Sequence, residues 1–250
     1  MELLKGVEVV DFLPVVYLRS FKALVLADVH LGYEEELANA GVYVPRFQLN
    51  HVKKVLEEAF NAVDVSKLVI AGDLKHSFSG LGKVEKAELI KFFTYVLPKV
   101  DEVVVVRGNH DNYLPTLQRR YMFKFTEALP LGEYLIIHGH KDVVEEFSGW
   151  RYLIFGHEHP SISLRDSLGK LGKFPCYLVG ELSDGREFVT LPAVGAYQTG
   201  SRITLNSETY ISPILKKHAL IRRIKPYIID EDLGVFELPQ LEYLSNYIVG

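Results

Sequence analysis

The stretch VVVVRGNHD, residues 103–111, decides how we interpret this chain. Four consecutive valines are followed, after Arg107, by a glycine, an amide, an imidazole and a carboxylate at positions 108–111. A β-branched run without polar alternation is typical of a strand buried on both faces. Because a buried strand must stop where polar side chains begin, residues 108–111 are predicted at a strand's carboxyl end. In open α/β sheets, ligands bind at that end.

Four other runs share this form, an apolar segment that ends in polar residues. They are ALVLADVH (23–30), KLVIAGD (67–73), YLIIHGH (134–140) and YLIFGHEH (152–159). Between the three runs nearest the N-terminus, apolar residues recur at helical spacing over 47–60 and 87–96. Alternating strand and helix predict parallel strands joined by right-handed crossovers.

The chain changes character after about residue 160. Short alternating runs such as CYLVGEL, REFVTL, RITL and YISPIL are separated by turns containing Gly, Asp and Ser, which predicts antiparallel strands. We expect residues 160–250 to form a second sheet with a C-terminal extension, packed on the first, so that residues 1–250 make one domain. The tail from about residue 226 has no clear pattern.

Composition excludes several classes of protein. With 250 residues, 48% of them hydrophobic, the chain can bury a large core and is not expected to be disordered. The 28 basic and 32 acidic residues nearly balance, so no overall field draws the protein to nucleic acid or to a membrane, and any such contact must be local. The single cysteine, Cys176, excludes an internal disulfide framework. Without a secretion signal or a long apolar run, a cytoplasmic protein with no membrane partner is expected.

Metal-binding side chains gather at the polar ends of the five runs. Six of the nine histidines lie there, with two aspartates and an asparagine: His30, His110, His138, His140, His157, His159, Asp28, Asp73 and Asn109. Imidazole, carboxylate and amide oxygen are ligands of Zn, Mn or Fe, and one carboxylate can bridge two ions. Side chains two apart at the end of an extended strand point the same way, so each such pair can reach one pocket. The pattern therefore predicts a two-metal site where the strand ends converge.

In order, these segments resemble the five motifs of the calcineurin-like metallophosphoesterases. The motifs are D-x-H at 28–30, G-D at 72–73, G-N-H-D at 108–111, H-G-H at 138–140 and G-H-x-H at 156–159. Any one of them is weak support, whereas all five in order are strong. The resemblance implies a four-layer α/β/β/α sandwich, with two mixed sheets face to face, helices outside and the site along one edge.

The resemblance also implies a role for each motif residue. One metal would be held by Asp28, His30 and His159, a second by Asn109, His138 and His157, and Asp73 would bridge them. His110 would be catalytic, protonating the leaving oxygen, and Asp111 is counted beside it as a residue that orients loop groups. His140 is expected to orient a ligand. The cofactors implied are two divalent transition-metal ions, Mn²⁺ first, with Fe, Zn or Ni as alternatives.

The segment GDLKHSF, residues 72–78, favours one branch of this family. Where the protein serine/threonine phosphatases have a further aspartate, this chain has His76. The segment is similar to G-D-L-F-H-S of the SbcD-like nucleases of DNA repair, whose histidine assists phosphodiester cleavage, so His76 is counted as catalytic. The stretch LADVHLGYEEEL resembles smaller archaeal SbcD-related phosphoesterases and bacterial phosphoesterases associated with a DNA ligase and helicase. The chain is far shorter than a full break-repair nuclease, so we expect no counterpart of that enzyme's capping domain and no genuine processing of double-strand ends.

The leading prediction is a phosphodiester hydrolase, a nuclease of DNA or RNA, that uses a hydroxide held between two metal ions. A phosphatase or phosphodiesterase of a small nucleotide would use the same chemistry and stays open. The alternative of another class is a binding or scaffold protein that keeps the fold without catalysis. The partner expected is the nucleic acid or nucleotide substrate, and a homodimer or DNA-repair partner proteins stay open.

No substrate-binding residue follows from the sequence. Tyr33, Tyr113 and Trp150 are candidates for stacking on a base, with core or rim packing as the alternative. Basic clusters at 119–124 and 216–225 are candidates for phosphate contacts, with a solvated surface as the alternative.

Overall fold

Two β-sheets lie face to face in this protein, which we describe from a computed structural model covering residues 1–198, 200–230 and 232–248. The first sheet follows chain order: β1 Glu2–Leu4, β2 Val7–Val9, β3 Val16–Leu18, β4 Ala23–Leu26, β5 Lys67–Ala71, β6 Glu102–Val106 and β7 Lys124–Thr126. Strands β1 to β4 pair antiparallel and β4 to β7 pair parallel. The predicted parallel arrangement of the first three runs is therefore confirmed.

The second sheet contains nine strands among the described residues. They are β8 Leu129–Leu131, β9 Tyr134–Ile137, β10 Tyr152–Phe155, β11 Pro160–Asp166, β12 Gly169–Glu181, β13 Glu187–Thr190, β14 Ser201–Arg202, β15 Lys225–Asp230 and β16 Gly234–Glu237. Their order is β14-β11-β12-β13-β10-β9-β8, and β15 pairs with β12 and β16. The sheet begins at Leu129 and not near residue 160 as expected, because buried runs look alike in sequence whichever sheet they join.

Five α-helices in the described residues pack outside the sheets: α1 Tyr33–Asn39, α2 Gln48–Ala62, α3 Lys83–Val96, α4 Pro115–Tyr121 and α5 Pro213–Lys217. Short 3-10 helices occupy Arg19–Phe21, Ser207–Thr209, Ile221–Arg223 and Leu241–Leu244. Helices α2 and α3 cover the first sheet, whereas α5 and the last two 3-10 helices cover the second. The four-layer sandwich is therefore confirmed. No helix in the described part of the chain is long and apolar enough to cross a bilayer.

The apolar runs of the first sheet are buried on both faces. Leu24 and Leu26 of β4 pack with α2 and α3, while Ala23 and Val25 face the other sheet. Strand side chains alternate between faces, so a strand covered on both sides needs apolar residues throughout. This burial fixes the strands, and with them the loops at their carboxyl ends.

Several sequence predictions for the C-terminal half were wrong in detail. YISPIL does not form a strand, because Pro213 begins α5, where its fixed φ suits the first helical turn. β13 pairs antiparallel with β12 but parallel with β10, and the two-residue β14 pairs parallel with β11. The unassigned tail provides the β15–β16 hairpin. That residues 1–250 make one domain stays a prediction.

Candidate metal centre

Loops that follow β4, β5 and β6 of the first sheet and β9 and β10 of the second meet at one edge of the sandwich. Backbone hydrogen bonds continue past the strand ends, from Asp28 N to Gly72 O at 3.1 Å and from His30 N to Asp73 O at 2.9 Å. A further bond joins Gly156 N to His138 O at 3.0 Å. These bonds hold the loops in fixed positions relative to one another, so their side chains converge.

Five predicted ligands adopt left-handed backbone conformations, with φ between 45° and 68°: Asp28, His30, Asp73, His157 and His159. They follow strand ends and are not extended, so the expectation that an extended D-x-H or H-x-H pair aims both side chains was wrong. Asp and His are enriched among the non-glycine residues found with positive φ. Such conformations are strained and cluster at functional sites.

Two glycines allow these loops to approach closely. A Cβ on Gly108 would lie 2.0 Å from Asp73 Oδ1, and one on Gly72 would lie 2.2 Å from the His138 ring. Gly72 also has a φ of 89°, which side-chain-bearing residues rarely adopt. Larger residues at either position would push the predicted ligands apart.

The first predicted ligand set is assembled in the structure. Candidate ligand atoms of Asp28, His30 and His159 all lie within 4.8 Å of one another. His159 Nε2 is 2.9 Å from Asp28 Oδ1 and 3.4 Å from His30 Nε2. Asp28 Oδ1 is buried and makes no hydrogen bond of acceptable geometry, an arrangement that a cation would satisfy.

The two histidines of the second predicted set lie beside Asp73, and Asn109 lies beside one of them. Atoms of Asp73, His138 and His157 lie within 4.8 Å of one another. His138 Nε2 is 3.1 Å from Asn109 Oδ1 and 3.2 Å from Asp73 Oδ2. Asp73 joins the two sets, because its Oδ2 is also 3.8 Å from His30 Nε2.

The donor set fits a metal ion. His138 Nδ1 lies 3.0 Å from Ala71 O, which can only accept, so Nδ1 carries a hydrogen and Nε2 is the nitrogen that faces the oxygens of Asn109 and Asp73. Burial alone would lower the pKa of His138, but the carboxylates of Asp73 and Asp28 outweigh it and raise that pKa to about 9. Despite burial, neighbouring imidazoles hold the pKa of Asp73 well below its usual range. The centre therefore favours a positive charge among its ligands.

The other imidazoles of the two sets are suited to metal binding in their neutral form. Burial lowers the pKa of His30 and of His157 to about 3 each, so both rings are neutral at physiological pH. Neutral imidazole with a free lone pair is the form that ligates a metal. In His159, Asp28 overcomes the effect of burial and raises the pKa.

His110 faces the carboxylate shared by the two sets. Its backbone N–H donates to Asp73 Oδ1 at 2.9 Å, and its Nε2 lies 3.8 Å from Asp73 Oδ2. Its Nδ1 forms a short hydrogen bond with the carbonyl of His76, so Nδ1 carries the hydrogen. Nε2 is thereby left to exchange a proton with a group bound at the centre.

His76 is placed beside a ligand and has both ring nitrogens engaged. Its Nδ1 is 3.2 Å from His30 Nδ1, and its Nε2 is 3.5 Å from Glu36. Burial, and next His110, lowers the pKa of His76 to about 4. Because His30 Nε2 faces His159 and Asp73, its Nδ1–H can donate to His76, which can donate in turn to Glu36. This geometry favours His76 as a residue that positions His30 over one that contacts substrate.

Asp111 is fully buried and holds loop backbone. Its oxygens accept N–H groups from Asp73 at 2.8 Å, Leu74 at 2.9 Å, Lys75 at 3.3 Å and Gly108 at 2.8 Å. Burial, and next the charge of Asp73, raises its pKa to about 6. This geometry favours the predicted orienting role for Asp111, because both carboxylate oxygens are engaged with backbone N–H groups.

Replacing Asp111 by Ala should destabilise the fold as well as the centre. Each stranded buried donor costs about 1–3 kcal/mol, so we expect the free energy of unfolding to fall by about 3 kcal/mol or more. Urea unfolding in EDTA measures this without a metal contribution. Asp101→Ala, at an exposed aspartate before β6, is the matched control. An Asp111→Ala protein as stable as this control would contradict the assignment.

Sequence reasoning missed two supporting residues. Lys75 is fully buried; its Nζ donates to His110 O at 2.9 Å, forms a short bond with Ser77 O and lies 3.8 Å from Glu85. Glu158, between two predicted ligands, accepts from Ser212 N at 2.9 Å and so ties the C-terminal segment to the centre. Both residues lie within the motif segments, which could have indicated a supporting role. A lysine or glutamate is usually exposed, however, so residue type alone did not predict that these two are buried.

Other candidates lie outside the two sets. His140 Nδ1 is buried without a hydrogen bond, so the ligand-orienting bond expected from it is not seen there. Trp150 is buried and donates to Phe147 O, whereas Tyr113 is exposed and Tyr33 contacts His76. Cations of the predicted basic clusters pair with acids: Lys124 with Glu102, Lys217 with Asp142, Arg223 with Glu181 and Lys225 with Glu237.

The sequence profile of the calcineurin-like phosphoesterases matches residues 21–161, which include all five strand ends of the centre. The chain belongs to the calcineurin-like phosphoesterase family. This family uses pairs of divalent metal ions, and the two ligand sets provide candidate positions for them. Family membership supports phosphoester hydrolysis as the chemistry of this calcineurin-like phosphoesterase.

One of the solved structures similar to this chain shows the same fold, that of a Pseudomonas putida nuclease. The Pseudomonas putida nuclease MPE is 22% identical, with a TM-score of 0.60 over 92% of this chain and 93% of that one. The Escherichia coli phosphoesterase Yfce is 16% identical, with a TM-score of 0.42 over 87% of this chain and 98% of that one. A search of the curated proteins gave no match.

Proposed function

We propose that this protein is a dinuclear metal-dependent phosphodiesterase that cleaves nucleic acid. The observation that carries the proposal is the position of Asp73 Oδ2, 3.2 Å from His138 Nε2 and 3.8 Å from both His30 Nε2 and His110 Nε2. One carboxylate oxygen thus faces a ring of each ligand set and the imidazole assigned to proton transfer. The nuclease activity named for the P. putida protein and the SbcD-like segment at 72–78 support a diester in a polynucleotide as the substrate.

Asp28, His30 and His159 would hold one ion, Asn109, His138 and His157 the other, and Asp73 both. When bound, two such ions activate water as a nucleophile and offset charge on the phosphoryl oxygens. His110 would hold a proton at Nε2 for the departing oxygen, with its ring fixed by the His76 carbonyl. Asp111 and Lys75 would hold the loops that carry Asp73 and His110 in fixed positions. We expect Mn²⁺ to be the native metal. A cytoplasmic location and DNA-repair partners also stay predictions.

Metal binding should stabilise the protein measurably. For each site, an ion at about a hundred times its Kd adds about 2.7 kcal/mol to the free energy of unfolding. We therefore expect Mn²⁺, added to protein stripped with EDTA, to raise Tm, and elemental analysis to approach two ions per chain. His138→Ala should lose most of this rise. No rise with Mn, Fe, Zn or Ni would contradict the metal sites.

A substrate panel tests the proposed activity. We expect the Mn²⁺-loaded protein to hydrolyse bis(p-nitrophenyl) phosphate and labelled DNA or RNA, with little activity on the p-nitrophenyl monoester. Preference for the monoester without cleavage of any polynucleotide would favour the phosphatase alternative. Cleavage of small nucleotide diesters alone would favour the small-molecule phosphodiesterase. No hydrolysis by a fully metal-loaded protein would leave the scaffold alternative.

A further inference from the structure

Phe78 places an exposed aromatic ring beside the residue assigned to proton transfer. It is 54% exposed and belongs to none of the three apolar cores that the described residues form. Its ring lies on the His110 imidazole, with the two ring centroids 3.7 Å apart and the ring planes 35° from parallel. Single exposed apolar side chains are common and need no explanation. Phe78 differs because its ring contacts a predicted catalytic group.

The backbone that leads into Phe78 is held in place. Ser77 N donates to Glu85 Oε1 at 2.8 Å, and His76 N donates to the same oxygen at 2.9 Å. The carbonyl of Ser77 accepts a short hydrogen bond from the buried ammonium of Lys75. Because these bonds fix the two residues before Phe78, a ligand that binds to its ring has little loop to order, which favours binding.

The same side chain lines a cavity of about 250 Å³ between α1 and the loop before α3. Polar side chains that also line this cavity are Glu35, Glu36, Asn39, Ser77 and Ser79. Phe78 therefore connects the predicted metal centre, through His110, with a cavity that offers hydrogen-bonding groups. We call Phe78 and Glu36 the aromatic subsite.

The charge of this cavity disfavours phosphate. Glu35 accepts Val84 N at 3.2 Å and Glu85 N at 2.9 Å, so its carboxylate is occupied at the start of α3. The Glu36 side chain is 55% exposed, and its carboxylate lies 3.5 Å from His76 Nε2. A carboxylate has acceptor sites for more than one donor, so Glu36 can also accept from a ligand. These acids would repel a phosphate, whereas a neutral ring that carries amino groups could donate to Glu36.

Two aromatic residues that the sequence offered for stacking are already occupied. Tyr33 contacts His76 at a centroid distance of 4.7 Å, but its ring is stacked on Tyr197 at 5.5 Å. Trp150 is buried. Phe78, by contrast, is both exposed and in contact with the predicted centre. It is therefore the better platform for a flat ligand.

We propose that Phe78 stacks on the base of the nucleotide that leaves, and that Glu36 accepts a hydrogen bond from the edge of that base. The departing oxygen is assigned to His110 Nε2, and Phe78 lies on the same imidazole. The nucleoside attached to that oxygen is therefore the one whose base reaches Phe78. The inference rests on the proposed function and deepens it, because it makes the leaving group a nucleoside.

The two side chains of the aromatic subsite give different selectivity. Stacking accepts any base, because every base has a π-face. Glu36 adds a preference for adenine, cytosine or guanine, whose amino groups can donate to a carboxylate. Thymine and uracil have no amino group, and their single ring N–H lies between two carbonyl oxygens that Glu36 would repel.

Dinucleotides test the stacking, because each has a single linkage to cleave and the nucleoside released without phosphate is the leaving one. One base stacked on an aromatic ring contributes a factor of about 5 to 150. We expect Phe78→Ala to lower kcat/KM by that factor when adenine is on the leaving side, and to match wild type when the leaving sugar is abasic. Phe78→Tyr should keep the activity. Phe236→Ala, at an exposed phenylalanine of β16, is the control.

Exchanging adenine for thymine on the leaving side tests Glu36. Wild type should prefer adenine, and Glu36→Gln should lower that preference by about 2- to 10-fold, the value of one hydrogen bond. The ratio of the two substrates is the measurement, because any loss transmitted through His76 affects both equally. Glu133→Gln, at an exposed glutamate before β9, should keep the wild-type ratio. An unchanged ratio in Glu36→Gln would overturn the assignment of Glu36.

The remaining outcomes separate the inference from the proposed function. Equal losses of Phe78→Ala on the adenine and abasic substrates would show that the ring only positions His110, and would overturn the stacking. Unchanged kinetics in Phe78→Ala, or hydrolysis of bis(p-nitrophenyl) phosphate without cleavage of any dinucleotide, would overturn it too.

If wild type hydrolyses no diester, the proposed function fails, and calorimetric binding of the intact dinucleotides to the Mn²⁺-loaded protein decides the aromatic subsite. Weaker binding of the adenine dinucleotide alone by Phe78→Ala would support stacking. Equal binding by wild type and Phe78→Ala, or no binding, would overturn it.

Discussion

Replacing Asp73 by Asn should abolish most of the activity and release metal. Asparagine keeps the shape of the side chain and an oxygen for the His110 N–H, but removes the charge that faces both ligand sets. Removal of one charge-stabilising group costs about 10²–10³-fold, so for a residue shared by two ions we expect kcat/KM to fall by about 10³-fold or more. The measurement is hydrolysis of bis(p-nitrophenyl) phosphate, with metal content determined on the same sample.

Asp101→Asn is the matched control, since this exposed carboxylate lies outside the centre. Circular dichroism should show that both variants are folded. The Mn²⁺-dependent rise in Tm should shrink in Asp73→Asn only. Two full equivalents of metal in that variant would show that Asp73 is not a bridge.

His110→Asn should lower turnover by about 10²–10⁴-fold while metal content stays at the wild-type level. The ring nitrogen lies 3.8 Å from the shared carboxylate and is in neither predicted ligand set, although it also lies within 4.8 Å of nitrogens of His30 and His76. We expect its loss to remove proton transfer and to leave the ions of the two sets in place. A diester with a poor leaving group should suffer more than a p-nitrophenyl ester, whose leaving oxygen needs little protonation. The comparison is kcat on both esters.

His51→Asn on α2 provides the control for that substitution, because His51 is far along the chain from every motif and outside both ligand sets. Equal losses on the two esters would argue against proton donation by His110. Metal loss in His110→Asn would make the residue part of the ligand shell.

The elements that the sequence predicted well are those whose pattern comes from burial alone. β4, β5, β6, α2 and α3 follow from apolar runs and helical spacing, because packing on both sides of a sheet dictates residue type. The order of the motifs then placed the predicted ligands, since strand ends on one edge must be close. The sequence did not predict which sheet β9 and β10 join, because buried strands of either sheet have the same composition.

Features that depend on long-range geometry were out of reach of the sequence. The left-handed backbone at Asp28 and His30 is imposed by hydrogen bonds to Gly72 and Asp73, which no local pattern reveals. Lys75 differs from a surface lysine only through the loops folded over it. Pro213 was the overlooked local signal, since proline is common where a helix starts.

The left-handed backbone conformations at the centre also affect how the stability of this protein can be engineered. Each strained conformation of this kind costs of order 1–3 kcal/mol, which glycine would largely relieve. In the metal-free protein, glycine at these positions would relieve that strain, but it would remove the side chains that converge at the sheet edge and with them the stability that bound metal would add. Stability of the metal-free fold and turnover are therefore in conflict at those positions, and engineers should look for added stability elsewhere in the sandwich.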